Sequence, residues 1–329
     1  MKPVRFFKRL LSASDGLEDA FGQYVQASKT RHDTLSSQLT ALSVGLEAVA
    51  KESQLTEINL QLEKLLKSAA GAFNAEDLGI QYRNGLHAVG VLNYENDIVS
   101  GERRFLTRYI EQFPDAVILD VGANAGQYAA LARELGPNTV IHSFEPHPQS
   151  FAKLAERGER LGIKVHALAL GDVCSEIEFF DYEDDAGSQH ASVYRDVIEV
   201  VHQRPAAAVK VRSETLDIVA RRLGIKQIGL LKIDTEGHDY SVLKGARGLL
   251  DAGLIDVIQF EFNEMNVISR VFMKDFFGIL PNYRIYRLLS DGVIEFQTYD
   301  PTFMEVFAYQ NIVCIRRDVD PFWVHASEQ

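Results

Sequence analysis

Cysteine is scarce in this chain: 2 in 329 residues, Cys174 and Cys314, far apart and set among apolar neighbours. That excludes a disulfide framework and predicts buried free thiols in a reducing compartment. No Cys/His cluster has zinc spacing. No run reaches the roughly 18 apolar residues of a membrane span. The N-terminus also lacks the continuous apolar core and small-residue cleavage site of a secretory signal, so the cytoplasm is the expected location. Positive charge is in deficit, with a net charge of -12. An acidic protein repels phosphate backbones, so nucleic acid is not an expected partner. No acid precedes Asp15, however, and Lys2, Arg5, Lys8 and Arg9 lie among Phe6, Phe7, Leu10 and Leu11. Residues 2–11 are therefore read as a frayed basic helix start, or as a weak contact with the inner face of a membrane.

Proline is missing from residue 12 to about 75. Leu35, Leu39, Leu42, Leu46 and Val49 follow 4-3-4-3 spacing, and the stripe resumes out of phase at Leu55, Ile58, Leu62, Leu65 and Ala69. Polar residues fill the intervals. This predicts a coiled-coil seam over residues 35–69 that pairs chains into a homo-oligomer, against the alternative of a helix folded back on its own domain. Gly71, Asn74 and Gly79 mark its exit.

A third glycine is missing where a dehydrogenase would have one. Val117–Val121 is an apolar strand that runs into Gly122-Ala-Asn124-Ala-Gly126 and then a helix. A second strand ends at Ser143-Phe-Glu145-Pro146. A glycine turn that admits close backbone approach, followed by a second-strand acid for ribose hydroxyls, is how an open parallel sheet holds an adenosine-containing ligand. G-x-G-x-x-G is incomplete here, and Asp120 ends the first strand. Pyrophosphate has little use for that carboxylate, whereas a ligand with an ammonium and a sulfonium does. The turn favours S-adenosylmethionine over NAD.

Downstream, strands are expected at Thr139–Phe144, Lys164–Leu168, Gly229–Ile233 and Asp256–Phe262, with helices at Gln127–Leu135, Gln149–Leu161, Thr215–Leu223 and Tyr240–Leu250. Such alternation implies a parallel sheet covered on both faces. Ile177–Tyr182 and Val209–Val211 form a strand-like insertion around an acidic loop. After Asn266 come a helix and late strands at Arg284–Leu289 and Asn311–Ile315. The expected fold class is α/β, a Rossmann-like seven-stranded methyltransferase sheet behind an N-terminal helical coiled-coil extension. The expected divisions are a helical extension over 1–75, a helical linker and cofactor lid over 76–115, the catalytic domain over 116–320 and a tail over 321–329.

The segment Leu230-Leu-Lys232-Ile-Asp234-Thr-Glu236-Gly237-His238-Asp239 carries a third strand end, and Glu261 and Asn263 a fourth. Ligands of open α/β sheets bind beyond the carboxyl ends of strands. Asp234 is therefore expected in one crevice with Asp120 and Glu145. Burying so many polar groups without a role is costly. The structural alternative is a capping network, with Asp239 on the helix and Lys232 paired to Glu261.

Together, Asp120-Val-Gly-Ala-Asn-x-Gly-x-Tyr128, Phe144-Glu-Pro146, Ala169-Leu-Gly-Asp172, Thr215-Leu-Asp217, Leu231–His238 and Ile258-Gln-Phe-Glu261 resemble the FkbM-type methyltransferases. The resemblance spans Ser100 to Arg317, about two thirds of the chain. It implies a Rossmann-like S-adenosylmethionine domain that O-methylates a hydroxyl of a polyketide, sugar or secondary metabolite. On that resemblance Glu102, Tyr128 and Ala169 join Asp120, Gly122, Asn124, Gly126, Glu145, Pro146 and Asp234 as cofactor-binding residues. The Gly187-Ser-Gln-His-Ala-Ser192 loop departs from the family's serine-rich version at His190.

An alcohol needs a base aligned with its O–H and positioning against the methyl donor. Asp234, Glu236, His238 and Glu261 are the candidate catalytic residues, with Glu236 or His238 as base. Metal assistance is the second route. Asp234, Glu261 and Asn263 form an all-oxygen set that suits Mg²⁺ and resembles the strand-end acids of metal-dependent catechol O-methyltransferases. The acceptor pocket falls to Tyr182–His202 and Asn266–Pro281, where His190, Tyr194, Arg195, His202 and Arg204 suit a small-molecule or glycan hydroxyl acceptor. An NAD-dependent oxidoreductase and a non-catalytic coiled-coil scaffold are the competing readings.

Overall fold

The computed structural model describes residues 75–184 and 186–322. The coiled-coil seam over 35–69, the basic patch over 2–11 and the last residues of the tail lie outside them. The chain divides at Ile80/Gln81 into two units, and the second holds the sheet. Helices occupy Ala75–Ala88 and Glu102–Gln112 ahead of it. Among the described residues no helix is long and apolar enough to cross a membrane.

Eleven strands follow among the described residues: β1 Val117–Val121, β2 Val140–Phe144, β3 Lys164–His166, β4 Ala169–Leu170, β5 Ser175–Tyr182, β6 Ala206–Glu214, β7 Ile228–Ile233, β8 Ile255–Phe262, β9 Tyr283–Leu289, β10 Gly292–Phe296 and β11 Gln310–Arg316. The main sheet has the order β10-β9-β11-β8-β7-β1-β2-β3. Its centre, β8-β7-β1-β2-β3, is parallel, and β11 runs antiparallel between β8 and β9. The central strands are near-continuous Val/Ile/Leu runs because helices cover both faces, so β7 is buried at every position.

The expected seven-stranded sheet thus gains an eighth strand. β10 pairs antiparallel with β9 across Ser290-Asp291, with Gly292 opposite Leu289. Asp-Gly at a hairpin is a legible turn signal, but the short, half-buried β10 has too little apolar alternation to announce itself.

Two further boundaries shift. Lys164–Leu168 is not one strand: β3 stays in the main sheet, while β4 joins β6 and β5 in a separate three-stranded sheet. The expected helix Tyr240–Leu250 breaks into Asp239–Lys244 and Arg247–Asp251. At the break, a Cβ on Gly245 would stand 1.9 Å from the Gly171 carbonyl oxygen. The chain gives up helical regularity there to let two backbones touch. Cys314 is buried as expected, but Cys174 is exposed. It sits in the connection from β4 to β5, where its apolar neighbour Val173 also faces solvent.

Candidate active site

Parallel register brings the strand-end chemistry into line. Ser143 on β2 stands opposite Asp120 on β1, Asp120 opposite Lys232 on β7, and Lys232 opposite Gln259 on β8. All four are buried. One polar row therefore crosses four central strands inside an otherwise apolar sheet. Sequence spacing flagged Asp120 and Lys232 but missed Gln259, which lies within the apolar Ile255–Phe262 run.

The row is tied together by hydrogen bonds. The Ser143 hydroxyl reaches Asp120 Oδ2 at 3.4 Å. Tyr128 donates to Gln259 Oε1 at 2.8 Å, and Gln259 Nε2 donates to Glu102 at 2.6 Å and to Asn311 at 3.2 Å. Asn311 Nδ2 in turn donates to Tyr309 at 2.9 Å. Glu102 and Tyr128 are thus partners of one buried amide, though 26 residues separate them in sequence.

Lys232 Nζ lies 3.4 Å from Glu261, 3.5 Å from Glu102 and 3.7 Å from Asp234. Burial pulls this ammonium down, but the three carboxylates outweigh it and hold it well above its ordinary value. Burial pushes the Asp120 carboxyl up to about 7. Burial, with Asp234 alongside, also raises Glu261 well above the ordinary range. Of the set expected to suit Mg²⁺, Asp234 and Glu261 face the Lys232 ammonium. Asn263 points its Oδ1 elsewhere, accepting from Met265 N at 3.0 Å. Among the described residues no group of three His, Cys, Asp or Glu has metal-holding geometry.

Gly122 sits where the ends of β1 and β7 cross. Asp234 N donates to Val121 O at 2.9 Å, and a Cβ on Gly122, at φ +80°, would lie 1.7 Å from Asp234 O. No residue with a side chain fits there. Asn124, at φ +46°, opens the turn toward β2 and donates its backbone N–H to Glu145 Oε2 at 2.8 Å. Glu145 Oε1 accepts from His147 N at 2.7 Å. Burial still lifts Glu145 to about 7.

Two cavities open beyond these strand ends. The larger, about 1050 Å³, is lined by Glu102, Asp120, Gly122, Asn124, Tyr128, Lys232, Asp234, Glu236, Glu261 and Asn263, together with His190, His202 and Tyr309. The smaller, about 40 Å³, lies among Glu145, Pro146, Leu168, Ala169, Leu170 and Phe179, under Ser188–Ala191. It has room for a few waters at most. Gly122, Asn124, Asp234 and Glu236 line both, and Gly126 stands behind the turn against Leu154.

His238 lines only the smaller cavity. Its Nε2 would be 2.8 Å from a Cβ on Gly171, its Nδ1 is buried without a partner, and burial lowers the imidazole to about 4. Of the two histidines that share the larger cavity with Glu236, His190 faces it, with Nδ1 3.8 Å from Glu236 Oε1. Sequence reading placed His190 in the acceptor pocket but had no signal for this pairing, since 46 residues separate the two.

Residues 120–281 match the family model described as the methyltransferase FkbM domain. These residues form an FkbM-type methyltransferase domain. It is similar to 31-O-demethyl-FK506 methyltransferase FkbM of Streptomyces tacrolimicus, 30% identical over 168 residues, covering 44% of this chain and 64% of that protein. It is also similar to the 2-O-methyltransferase NoeI of Sinorhizobium fredii, 23% identical over 194 residues, covering 55% and 77%. The chain thus spans under two thirds of the first of these relatives. The solved structure of a methyltransferase FkbM from Methylobacillus flagellatus overlaps 61% of this chain and 44% of its own at a TM-score of 0.38 and 13% identity. The fold assignment rests on the strand order above, not on that superposition.

Proposed function

We propose that the chain transfers a methyl group from S-adenosylmethionine to a hydroxyl of a sugar, polysaccharide or secondary metabolite. The observation that carries this reading is the acidic wall of the larger cavity: Glu102, Asp120, Asp234 and Glu261 around the single ammonium of Lys232, beside a glycine crossing that admits backbone approach. Four carboxylates against one ammonium suit a ligand that brings its own positive charge. S-adenosylmethionine does so with an ammonium and a sulfonium, whereas NAD brings a pyrophosphate, which this wall repels.

In this reading Glu145 accepts from the ribose hydroxyls. Asp120 and Glu102 face the ammonium. When bound, the cofactor supplies an electrophilic methyl carbon. Asp234 holds the acceptor against it, and the hydroxyl proton leaves on the Glu236 side of the larger cavity. Lys232 Nζ stands within 3.7 Å of Asp234 and Glu261, so this edge of the cavity orients the acceptor rather than taking its proton. A sugar hydroxyl as acceptor is supported by one relative, a hexuronic acid methyltransferase of Haloferax volcanii.

Calorimetry with S-adenosylhomocysteine and with NAD tests the cofactor. Binding of NAD with no binding of S-adenosylhomocysteine would sink this reading, and product formation from labelled S-adenosylmethionine separates it from a non-catalytic scaffold. EDTA treatment tests metal dependence: activity that survives chelation fits Lys232 as the resident cation. The seam over residues 35–69 is retained as the proposed homo-oligomer contact. Light scattering of the chain with and without residues 1–75 tests it, and an unchanged protomer count would remove it.

A further inference from the structure

His190 hangs from a loop that has no strand of its own, yet it is clamped on both sides. Two residues before it, Ser188 donates its backbone N–H to Asp181 Oδ2 at 3.1 Å and its hydroxyl to Asp181 Oδ1 at 2.5 Å. The Ser188 carbonyl accepts from Asn124 Nδ2 at 2.8 Å, which fixes the loop to the glycine turn. Two residues after it, the Ser192 hydroxyl donates to the Glu236 carbonyl at 2.8 Å, and Ser192 bridges Phe180 on β5. The first clamp holds the loop to β5 and the turn after β1, the second to the turn after β7. Between them the imidazole has little choice of position.

That position puts Nδ1 against Glu236 and leaves the other edge of the ring toward the larger cavity. The His190 side chain is 44% exposed and the Glu236 side chain 14%. Glu236 is itself held at φ +50°, and its Oε2 and the facing His190 Nδ1 are both buried without a hydrogen-bond partner, the 3.8 Å between the two groups being an ion-pair distance. A strained residue with an unpaired buried carboxylate oxygen, facing an imidazole, is the arrangement of an orienting acid behind a base. From the geometry we propose that His190 is the catalytic base of the methyl transfer, with Glu236 as its positioning residue. This rests on the methyltransferase reading above and assigns the proton in it.

The step balances without another reactant. Nε2 of neutral His190 accepts the proton of the acceptor O–H while the hydroxyl oxygen attacks the donor methyl carbon. The carbon–sulfur bond breaks, and its electron pair stays on sulfur, giving the neutral thioether. Glu236 accepts from the Nδ1–H of the imidazolium that results, and solvent takes the Nε2 proton afterwards, which restores the base. The Glu236 contact raises His190 above its ordinary value against the pull of burial, as a base handing its charge to a carboxylate requires. The other groups facing it are His202, whose ring centroid is 4.3 Å away, and Tyr182 at 6.0 Å, with the charges of Asp181 and Asp234 beyond. Burial and His190 together hold His202 below its ordinary value, so it reads as a neutral neighbour rather than a second base.

The test uses the full chain with two readouts. The first needs no acceptor: NMR titration of the His190 imidazole with S-adenosylhomocysteine present, in wild type and in Glu236→Gln. The expected result is a lower titration midpoint in Glu236→Gln, and the same midpoint in both would overturn the pair. The second is methyl transfer from labelled S-adenosylmethionine to a panel of methyl hexopyranosides and hexuronic acids. His190→Gln should lower turnover by about 10²–10⁴-fold with S-adenosylhomocysteine affinity kept within about threefold. Its ascending pH limb should vanish, while in Glu236→Gln that limb should shift to lower pH. Turnover of His190→Gln within about threefold of wild type would overturn the proposal. A wild type that binds no S-adenosylhomocysteine would instead sink the methyltransferase reading, with the titration still deciding the pair.

Discussion

On the strand side of the larger cavity, Asp120, Lys232 and Gln259 stand opposite one another on paired strands, placed by the same ladder that builds the sheet. On the loop side, His190 and His202 belong to a 23-residue excursion between β5 and β6, held by side-chain clamps to Asp181, Asn124 and Glu236. The strand side is rigid and carries most of the buried charge. The loop side is half exposed, and it joins local contacts such as Ser188 to Asp181 with distant ones to Asn124 and Glu236. Strand register fixes chemistry to within a fraction of a residue spacing, while a clamped loop can be re-cut without disturbing the sheet. Recognition of a ligand shared across the family thus suits the first, and recognition of a particular acceptor suits the second.

That contrast is broken most directly at Gly122. Gly122→Ala places a methyl group 1.7 Å from Asp234 O at φ +80°, so β1 and β7 must part. A loss of more than about 4 kcal/mol is expected, read by urea denaturation. A loss under about 1 kcal/mol would mean the crossing is looser than its geometry. Lys232→Met tests the charge side of the same wall. Removing the ammonium leaves Glu102, Asp234 and Glu261 facing one another, for a loss of about 3–5 kcal/mol at pH 8. The loss should shrink at pH 5.5, where Glu261, raised by burial, takes up a proton instead, and a pH-independent loss would point to packing alone.

Glu145→Ala sharpens the comparison from the ligand side. It removes an acceptor for Asn124 N and His147 N as well as for a ribose, so S-adenosylhomocysteine affinity should fall by about 1.5–3 kcal/mol in calorimetry. A change below about 0.5 kcal/mol would remove Glu145 from the binding set.

The buried acids also set a pH dependence. Asp120, Glu145 and Asp239 are raised by burial to about 7. A raised acid binds its proton more tightly in the folded chain than in the unfolded one. Between about pH 4 and 7 the folded state therefore holds protons the unfolded state has lost, and stability falls as pH rises through that window. The ligand-free chain should melt lower at pH 8 than at pH 5.5. Asp120→Asn should recover part of that loss, at about 2–4 °C per kcal/mol, while weakening cofactor binding. A midpoint that climbs from pH 5.5 to 8 would contradict this. The smallest effect belongs to Cys174→Ser, on the exposed turn: within about 0.5 kcal/mol of wild type, with loss of the fast-reacting thiol in a labelling assay.

The sequence by itself was enough for the parallel core, the glycine turn, and Asp120, Glu145, Asp234 and Glu261 as strand-end acids. Each is written in a contiguous stretch where local backbone chemistry leaves few options: an apolar run, a residue that must take positive φ, an acid at the point where the strand stops. The same locality explains what it left open. Gln259 hides in the apolar run of β8, Glu102 and Tyr128 meet on it from two different helices, and Lys232 becomes the hub of three carboxylates only once β7 lies between β1 and β8. His190 and His238 looked alike as residues, and only folding put one beside Glu236 in the larger cavity and packed the other against Gly171. Register, burial and long-range contact decide such partners, and these are properties of the assembled sheet and its clamped loop, since the free energy of a buried polar group depends on neighbours that chain order does not bring together.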